Sequence, residues 1–432
     1  MNTLEETLRH LETRNIFLTG GAGVGKSYLT KEIKDSYENS YRGVIVLGST
    51  GISAVNVGGQ TIHSFFAFGI SSNFEELASN DRYNKNRLKE LTKILKKTKL
   101  LIIDEISMVS ADLMDMILYR LRNAKFGGKI LVVGDFYQLP PIQKTKNSTI
   151  FSENLYAFQS SAWEVFDFVS LELTKIKRTS NKEFMKVLEK IRVGELDNEV
   201  LRYLNILKEQ SFDNINEATT LHGRNLEADL VNRQKVAGVA MPEHDLPAIT
   251  EIKDKKLHEN RIKSWKNSLP IVEDLKLKEG IPIIFTTNKW GNFHNGERAF
   301  VEHIDSDSVV VSKEGRLLKV DRFEFELGRS EINEKGALDS EVLCTLKQFP
   351  LRPAYAITIH KSQGMSLNQL ICNVDNIFAD SQFYVALSRA VDPKKLKILY
   401  TRDDFEVYLK RVVNVSESVK EFYQKSDMIK LD

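Results

Sequence analysis

The sequence has little cysteine, little net charge and no long apolar run, and each shortage excludes a class of protein. Its 432 residues include two cysteines, Cys344 and Cys372, which lie far apart and outside any metal-binding spacing. We therefore expect buried thiols in a reducing compartment rather than disulfides or a cysteine metal site. No apolar run approaches the ~20 residues of a membrane span, and no signal segment precedes the first motif. These absences predict a cytoplasmic protein.

The charge balance neither requires nor excludes a nucleic-acid partner. The 61 basic and 59 acidic residues leave a formal net charge of +2. Any basic groove must therefore come from the local arrangement of side chains, which composition does not show. The length allows two or three domains with a substantial core.

Short apolar strands alternate with helical patterns at both ends of the chain. Strands are predicted at 16–19, 44–48, 100–104 and 129–134, and a second set at 168–173, 219–221, 356–359, 370–374 and 396–400. This alternation predicts an α/β fold in which two parallel sheets are each covered on both faces. Short strands between 281 and 320, with turn signals, predict a β-barrel-like insertion. We predict a first domain over 1–165, a second over 166–235 and 345–432, and an inserted β-rich domain over 236–344.

A glycine loop at residues 20–27 matches the phosphate-binding P-loop pattern, between a predicted strand and a predicted helix. Its backbone N–H groups are expected to surround the phosphates of a nucleoside triphosphate, Lys26 to reach the β and γ oxygens, and Ser27 to ligate Mg²⁺. The nucleotide-binding loop residues are Gly21, Ala22, Gly23, Val24, Gly25, Lys26 and Ser27. A chance glycine turn is the alternative interpretation.

An acidic pair, Asp104 and Glu105, stands at the end of the predicted strand 100–104, and Gln138 follows the predicted strand 129–134. Asp104 is expected to hold Mg²⁺ through water, and Glu105 to act as general base on the attacking water. A helix N-cap is the alternative for this pair. Gln138 is expected to contact a water near the γ-phosphate, unless its segment is only a strand exit stiffened by two prolines.

Two arginines in the second half are candidates for stabilising transition-state charge on the γ-phosphate. Arg389 precedes a turn and is expected to project into a cleft, and Arg178 ends the segment 171–178. For Arg389 a surface salt bridge on a helix is the alternative. The P-loop, the acidic pair and the Gln138 segment predict an ATPase. They do not by themselves predict a motor, because kinases, switches and loaders share the first two.

The order and spelling of six segments resemble superfamily I helicases of the 5′-to-3′, RecD-like branch, and within it the petite-integration-frequency (Pif) DNA helicases. The segments are 49–54, 60–65, 104–109, 134–141, 359–364 and 384–389, and 110–130 resembles a segment peculiar to that family. The resemblance covers roughly residues 15–400. It implies two RecA-like domains that bind ATP and Mg²⁺, a short wedge insertion at about 69–86 and a small barrel domain.

The resemblance also implies the residues that contact single-stranded DNA and complete the ATP site. The DNA contacts are carried over to Thr50, Gly51, His63, Ser64, Phe65, His360, Lys361 and Ser362, and the ATP site gains Gln363 and Gly364. Hydroxyl and N–H groups suit phosphate oxygens, and one of Phe65 and Phe66 is expected to stack on bases, with core packing as the alternative. Three structural alternatives also stay open: His63 caps a helix, segment 71–86 is a solvated loop followed by a Lys-rich helix, and Trp290 anchors the barrel.

The sequence thus predicts a helicase that moves 5′ to 3′ on single-stranded DNA and unwinds tailed or forked duplexes. The resemblance implies that structured DNA, such as G-quadruplexes or DNA–RNA hybrids, is also unwound, in repair, recombination or replication. It further implies a monomer, which we expect to associate with the nucleoid when it is bound to DNA. Departures from the family are the lack of glutamine in residues 1–20, which puts strict ATP preference in doubt, and Thr179 where glutamine is usual. Three rivals stay open: a nucleotide switch that binds a protein partner, an RNA helicase and a nuclease-helicase.

Overall fold

A computed structural model describes residues 3–40, 42–69, 71, 73–141, 155–215, 218–255, 257–289, 291–332 and 338–431. The chain divides into two compact units. Unit 1 comprises Met1–Lys177, Gly328–Val342 and Ser416–Asp432, and unit 2 comprises Arg178–Leu327 and Leu343–Val415. Within the described ranges, no helix has both the length and the hydropathy to cross a bilayer.

Unit 1 is built on a parallel sheet. Its strands up to residue 173 are β1 (Asn15–Thr19), β2 (Gly43–Gly48), β3 (Gln60–Thr61), β4 (Thr98–Asp104), β5 (Lys129–Val133) and β6 (Phe168–Leu173). They pair in parallel in the order β6-β1-β5-β4-β2-β3. Leu100–Ile103 of β4 are fully buried, because helices cover both faces of a parallel sheet. The α/β prediction is confirmed for this part of the chain.

The helices of unit 1 up to β6 lie before or between these strands. They are α1 (Thr3–Thr13), α2 (Lys26–Asn39), α3 (Gly51–Asn56), α4 (Ile62–Phe65), α5 (Phe74–Tyr83), α6 (Lys85–Lys97), α7 (Ala111–Ala124) and α8 (Ser161–Phe166). α5 lies in the predicted wedge segment, so the solvated-loop interpretation is wrong for the described part, and the Lys-rich helix is α6. The guanidinium of Arg120 in α7 holds α5 by two bonds to Asp81, of 2.7 and 2.6 Å, and also donates to the Phe66 carbonyl.

Unit 2 contains a smaller parallel sheet and a long β-rich insertion. In chain order its elements, of which β15 and β16 extend into unit 1, are α9 (Lys182–Arg192), α10 (Asn198–Glu209), β7 (Thr219–His222), α11 (Asn225–Ala237), β8 (His244–Pro247), β9 (Ile249–Ile252), α12 (Glu259–Ser268), β10 (Asp274–Leu277), β11 (Pro282–Phe285), β12 (Arg298–Ile304), β13 (Ser308–Lys313), β14 (Arg316–Asp321), β15 (Phe323–Ile332), β16 (Leu338–Gln348), β17 (Leu351–Pro353), β18 (Ala356–Thr358), β19 (Leu370–Asn373), α13 (Gln382–Leu387), β20 (Leu396–Leu399) and α14 (Phe405–Val412). The parallel sheet has the order β18-β7-β19-β20.

The insertion of unit 2 has its own core. Strands pair antiparallel in the order β14-β13-β12-β11-β17 around a cluster that includes Ile283, Phe285, Val301 and Val311. Strands thus occupy much of the range 236–344 predicted as the insertion, β17 lies past residue 344, and Gly328–Val342 belong to unit 1. Trp290 lies outside the described residues.

Two predicted domain boundaries are wrong, because the first sheet is completed by residues assigned to the second domain. β6 pairs with β1, and after α15 (Glu417–Lys425) the strand β21 (Met428–Leu431) pairs with β6. Leu171 of β6 and Leu431 of β21 share one core with Leu18 of β1. Residues 166–177 and 416–432 therefore belong to unit 1, because β6 and β21 complete its sheet and contribute Leu171, Leu173 and Leu431 to its core.

Candidate nucleotide and nucleic-acid sites

The loop between β1 and α2 has the backbone of a phosphate-binding loop. Gly23 and Gly25 have φ angles of 81° and 98°, which favour glycine, and α2 begins without a side-chain cap. The ammonium of Lys26 donates to the carbonyls of Gly20 and Gly21 at 2.7 and 3.0 Å. The loop is therefore closed around its own lysine, and a bound triphosphate would take over these bonds with phosphate oxygens.

The loop is fixed from outside by the segment after β6. The Lys177 N–H donates to the Gly23 carbonyl at 2.8 Å. Gly20, with a φ of 139°, lies so close to β6 that an added Cβ would be 2.4 Å from the Leu173 carbonyl oxygen. Both contacts make the loop conformation depend on β6, a strand that the sequence prediction placed in the other domain.

The acidic pair lies at the carboxyl end of β4. Asp104 is buried, and its pKa is raised to about 7 by burial and by the charge of Glu105, while the charge of Lys26 acts in the opposite direction. Glu105 has a φ of 54°, and a side chain at Gly134 would contact the Glu105–Ile106 backbone. A buried carboxyl held near a second carboxylate and a lysine needs a further cation to ionise fully. The donor set therefore suits Mg²⁺.

Gln138 is held in the turn after β5 by a buried carboxylate. Its Nε2 donates to Oδ2 of Asp135 at 3.2 Å, and Oδ1 of Asp135 accepts from the Tyr137 N–H at 3.2 Å. The hydroxyl of Tyr423 in α15 donates to the same Oδ1 and lies 2.9 Å from the Thr19 hydroxyl. The strand entering the P-loop and the turn carrying Gln138 are thus joined through one phenol group.

The two arginines proposed as fingers converge inside unit 2. Arg178 donates to the Ser366 hydroxyl at 2.9 Å and to the Ser388 carbonyl at 2.8 Å, and Arg389 donates to the Ser388 hydroxyl at 2.8 Å. Burial and the charge of Arg389 lower the pKa of Arg178 to about 9. Two neighbouring guanidinium groups disfavour each other, and an anion between them would relieve the repulsion.

Arg389 is buried, whereas the sequence predicted that it projects into a cleft. Only 1% of it is exposed, and its Nε donates to the Val385 carbonyl at 2.9 Å, while Nη1 donates to the Ser362 carbonyl. The surface salt bridge, given as the alternative, does not describe this buried position, and the finger role stays a prediction. The side chain of Arg389 is buried because it follows α13, a helix whose residues are all buried.

The predicted DNA-contacting residues of unit 1 lie at the start of α3 and within α4. Thr50 caps α3, accepting from the Ser53 N–H at 3.1 Å, and Gly51 is the first residue of that helix. Thr61 caps α4, so the cap interpretation of His63 is wrong, and the Ser64 carbonyl accepts from Arg87. Phe65 is 6% exposed and Phe66 fully buried. The prediction that one of them offers a face to bases is corrected, because both rings pack into the core.

In unit 2 the predicted contact segment follows β18. Burial lowers the pKa of His360, so its ring is neutral at pH 7, and burial and Arg352 lower the pKa of Lys361. Ser362 is fully buried and donates to the Ile359 carbonyl at 2.7 Å, which corrects its assignment to DNA contact. Next along the segment, Gln363 is 9% exposed, and Gly364 has a φ of 79° with open space beside it.

Comparison with known proteins decides the family. Residues 1–202 match the family model described as PIF1-like helicase. A Campylobacter jejuni protein named ATP-dependent DNA helicase Pif1 is 40% identical over 430 residues, covering 97% of this chain and 96% of the relative. The chain belongs to the PIF1-like helicase family. This confirms the resemblance that the six ordered segments indicated.

Solved structures of the family agree with the fold. Bacteroides sp. Pif1 in complex with ADP-AlF4 is similar with a TM-score of 0.82 and 27% identity, covering 98% of this chain and 96% of that chain. Bacteroides Pif1 bound to ssDNA is similar with a TM-score of 0.67 and 27% identity over the same shares, 98% and 96%. The two-sheet α/β architecture predicted from the sequence is therefore confirmed as that of Pif1 helicases with RecA-like domains.

Three residues of the site were missed by the sequence analysis. Tyr423 and Lys177 act through a hydroxyl and a backbone N–H whose partners are far away in sequence, so no local pattern marks them. Phe378 is 61% exposed, and its ring is stacked on His360 with 6.0 Å between centroids and 14° between planes. A phenylalanine shortly after the predicted strand 370–374 was the available signal.

Proposed function

We propose that this chain is an ATP-dependent DNA helicase that moves 5′ to 3′ on single-stranded DNA and unwinds tailed or forked duplexes. The observation that carries the proposal is its likeness, along nearly the whole chain, to a protein named ATP-dependent DNA helicase Pif1. The geometry of the P-loop, the acidic pair and Gln138 within unit 1 supplies the parts that ATP hydrolysis needs.

In the ATP site the protein groups hold charge and orient water. Lys26 and the loop N–H groups bind the phosphates, while Ser27 and Asp104 would hold Mg²⁺, which would supply neutralising charge at the phosphate oxygens. Glu105 accepts a proton from the attacking water. Gln138 orients that water with its Oε1, because Asp135 engages Nε2 and turns the amide oxygen away from itself.

In unit 2 the paired arginines respond to the γ-phosphate. Arg178 and Arg389 are stabilised by an anion placed between them, so the triphosphate is bound more tightly than the diphosphate. This difference in affinity is what allows hydrolysis to drive a conformational cycle. Because both guanidinium groups bond to Ser388, we propose that they act together.

The DNA strand is bound by phosphate contacts and by stacking. Lys361 and Arg352 place two cations together in unit 2, and each cation's pKa is lowered mainly by burial, so a phosphate stabilises both. Phe378 and the neutral His360 ring present a parallel aromatic pair on which bases stack. In unit 1 we keep Thr50, Gly51, His63 and Ser64 as proposed backbone contacts.

The decisive experiment is strand separation with Mg²⁺-ATP on duplexes that carry either a 5′ or a 3′ single-stranded tail. We expect unwinding from the 5′ tail only. Unwinding from the 3′ tail only would overturn the proposed direction, and ATP hydrolysis that single strands do not stimulate would indicate a nucleotide switch. RNA-tailed duplexes serve as the third arm, since preferential unwinding of these would indicate an RNA helicase.

The proposed general base is tested separately from the motor. Glu105→Gln should bind ATP with near-normal affinity and hydrolyse it at least about a hundredfold more slowly, because a general base contributes roughly 10²–10⁴-fold. Lys26→Ala is the comparison variant and should lose turnover through weakened phosphate binding. Hydrolysis at the wild-type rate by Glu105→Gln would remove Glu105 from this role.

A further inference from the structure

We propose that Tyr423 is a positioning residue for ATP hydrolysis that acts through Asp135 on Gln138. The inference rests on the proposed ATPase function, because the orientation of Gln138 matters only if the P-loop turns over a nucleotide. Tyr423 lies in α15, which unit 1 receives from the far end of the chain.

The hydroxyl of Tyr423 sits among three polar groups that its own chemistry can satisfy together. It donates to Oδ1 of Asp135 at 3.3 Å, accepts from the Phe136 N–H at 3.2 Å, and lies 2.9 Å from the hydroxyl of Thr19. A phenol group donates one hydrogen bond and accepts two. With its proton on Asp135, the oxygen therefore accepts from both Phe136 and Thr19.

Asp135 passes this constraint to Gln138. The carboxylate is fully buried, so a lost donor is not replaced by bulk water. Its Oδ1 accepts from Tyr423 and from the Tyr137 N–H, and its Oδ2 accepts from Nε2 of Gln138 at 3.2 Å. Removing one donor from Oδ1 loosens the rotation of the carboxylate, and the Gln138 amide turns with it.

Ring packing holds the hydroxyl in place independently of its hydrogen bonds. The Tyr423 ring stacks on Tyr137 with 4.4 Å between centroids and 17° between planes. The preceding residue, Phe422, stacks on Phe158 at 4.4 Å and contacts Phe136 at 5.4 Å. Because this packing needs no hydroxyl, Tyr423→Phe should keep the fold while removing the polar link.

The test measures steady-state ATP hydrolysis by the full chain, with Mg²⁺-ATP and oligo-dT as activator. Tyr423→Phe is expected to lower kcat about tenfold and to leave the KM for ATP unchanged, because the P-loop contacts are intact. Thr19→Val removes a neighbour of the same hydroxyl and is expected to lower kcat in the same direction. In a Gln138→Ala background, Tyr423→Phe should cause no further loss, since residues that act in series are not additive.

Tyr408→Phe is the matched control. Tyr408 is also a stacked tyrosine, 4.6 Å from the Tyr400 ring, and its hydroxyl donates to the Val374 carbonyl in unit 2. It should leave kcat unchanged. An unchanged kcat in Tyr423→Phe, a changed KM alone, or independent losses in the double variant would each overturn the proposal. Absence of ATP hydrolysis in the wild type would instead refute the proposed function.

Discussion

Replacing Asp104 with asparagine is expected to stabilise the protein in the absence of Mg²⁺ while abolishing its Mg²⁺-dependent hydrolysis. A carboxyl group with a higher pKa in the folded than in the unfolded chain destabilises the fold as pH rises between the two values, because the unfolded chain loses its proton first. For Asp104 this interval runs from 3.8 to about 7. The stability is therefore complete below the lower value and is lost progressively up to the higher one.

The size of the effect follows from that interval. Each pH unit contributes ~1.4 kcal/mol to the free energy of unfolding, so the wild type loses at most about 4 kcal/mol across it. Asparagine carries no charge and avoids this loss, but it leaves a buried amide that costs about 1–2 kcal/mol. We expect a net gain of about 2 kcal/mol at pH 8 and no gain near pH 4.

Urea denaturation at pH 5 and pH 8, with Mg²⁺ removed by a chelator, measures the prediction. The difference between Asp104→Asn and wild type should grow by about 2–3 kcal/mol between these two values. Asp213→Asn replaces an exposed carboxylate and is the control, since it has no burial to relieve. Saturating Mg²⁺-ATP should stabilise the wild type more than Asp104→Asn. Parallel stability curves for Asp104→Asn and wild type would refute the reasoning.

Two further predictions concern stability alone, and the same denaturation assay checks both. Gly20→Ala should destabilise by about 2–3 kcal/mol, because φ is unfavourable and the Cβ would meet the Leu173 carbonyl; Gly280→Ala, with a φ of 82° and open space, should cost about 1 kcal/mol. Equal losses would contradict the close approach. Arg120→Met should cost about 3 kcal/mol, because it leaves Asp81 without its buried partner. A loss below about 1 kcal/mol, as for a surface pair, would mean that α5 is not held by this bond.

The parts of the site that the sequence could predict are those whose chemistry is local. The P-loop is recognisable because Gly23, Gly25 and Lys26 must stand at fixed spacing for the backbone to surround a phosphate. The acidic pair is recognisable because a carboxyl group at the end of a buried strand needs a cation. Strand–helix alternation likewise indicated both parallel sheets before any contact was known.

The parts that escaped prediction depend on contacts between residues far apart in sequence. β6 has the apolar pattern of any buried strand, and only its pairing with β1 shows which sheet receives it. The orientation of Arg389 depends on carbonyl groups of Val385 and Ser362, and the burial of Phe65 depends on how α4 meets the core. A sequence pattern predicts which residue type stands at which position, but it does not predict the direction in which the side chain points.

The return of the chain to unit 1 has a consequence for folding during synthesis. β21 and the hydroxyl of Tyr423 become available only after residues 178–415, most of them in unit 2, have been translated. At roughly 5–20 residues per second, the nascent first sheet waits on the order of tens of seconds with the edge of β6 unpaired. Such an edge is a template for pairing with other chains, so chaperone binding should concentrate on ribosome-bound chains that end before β21.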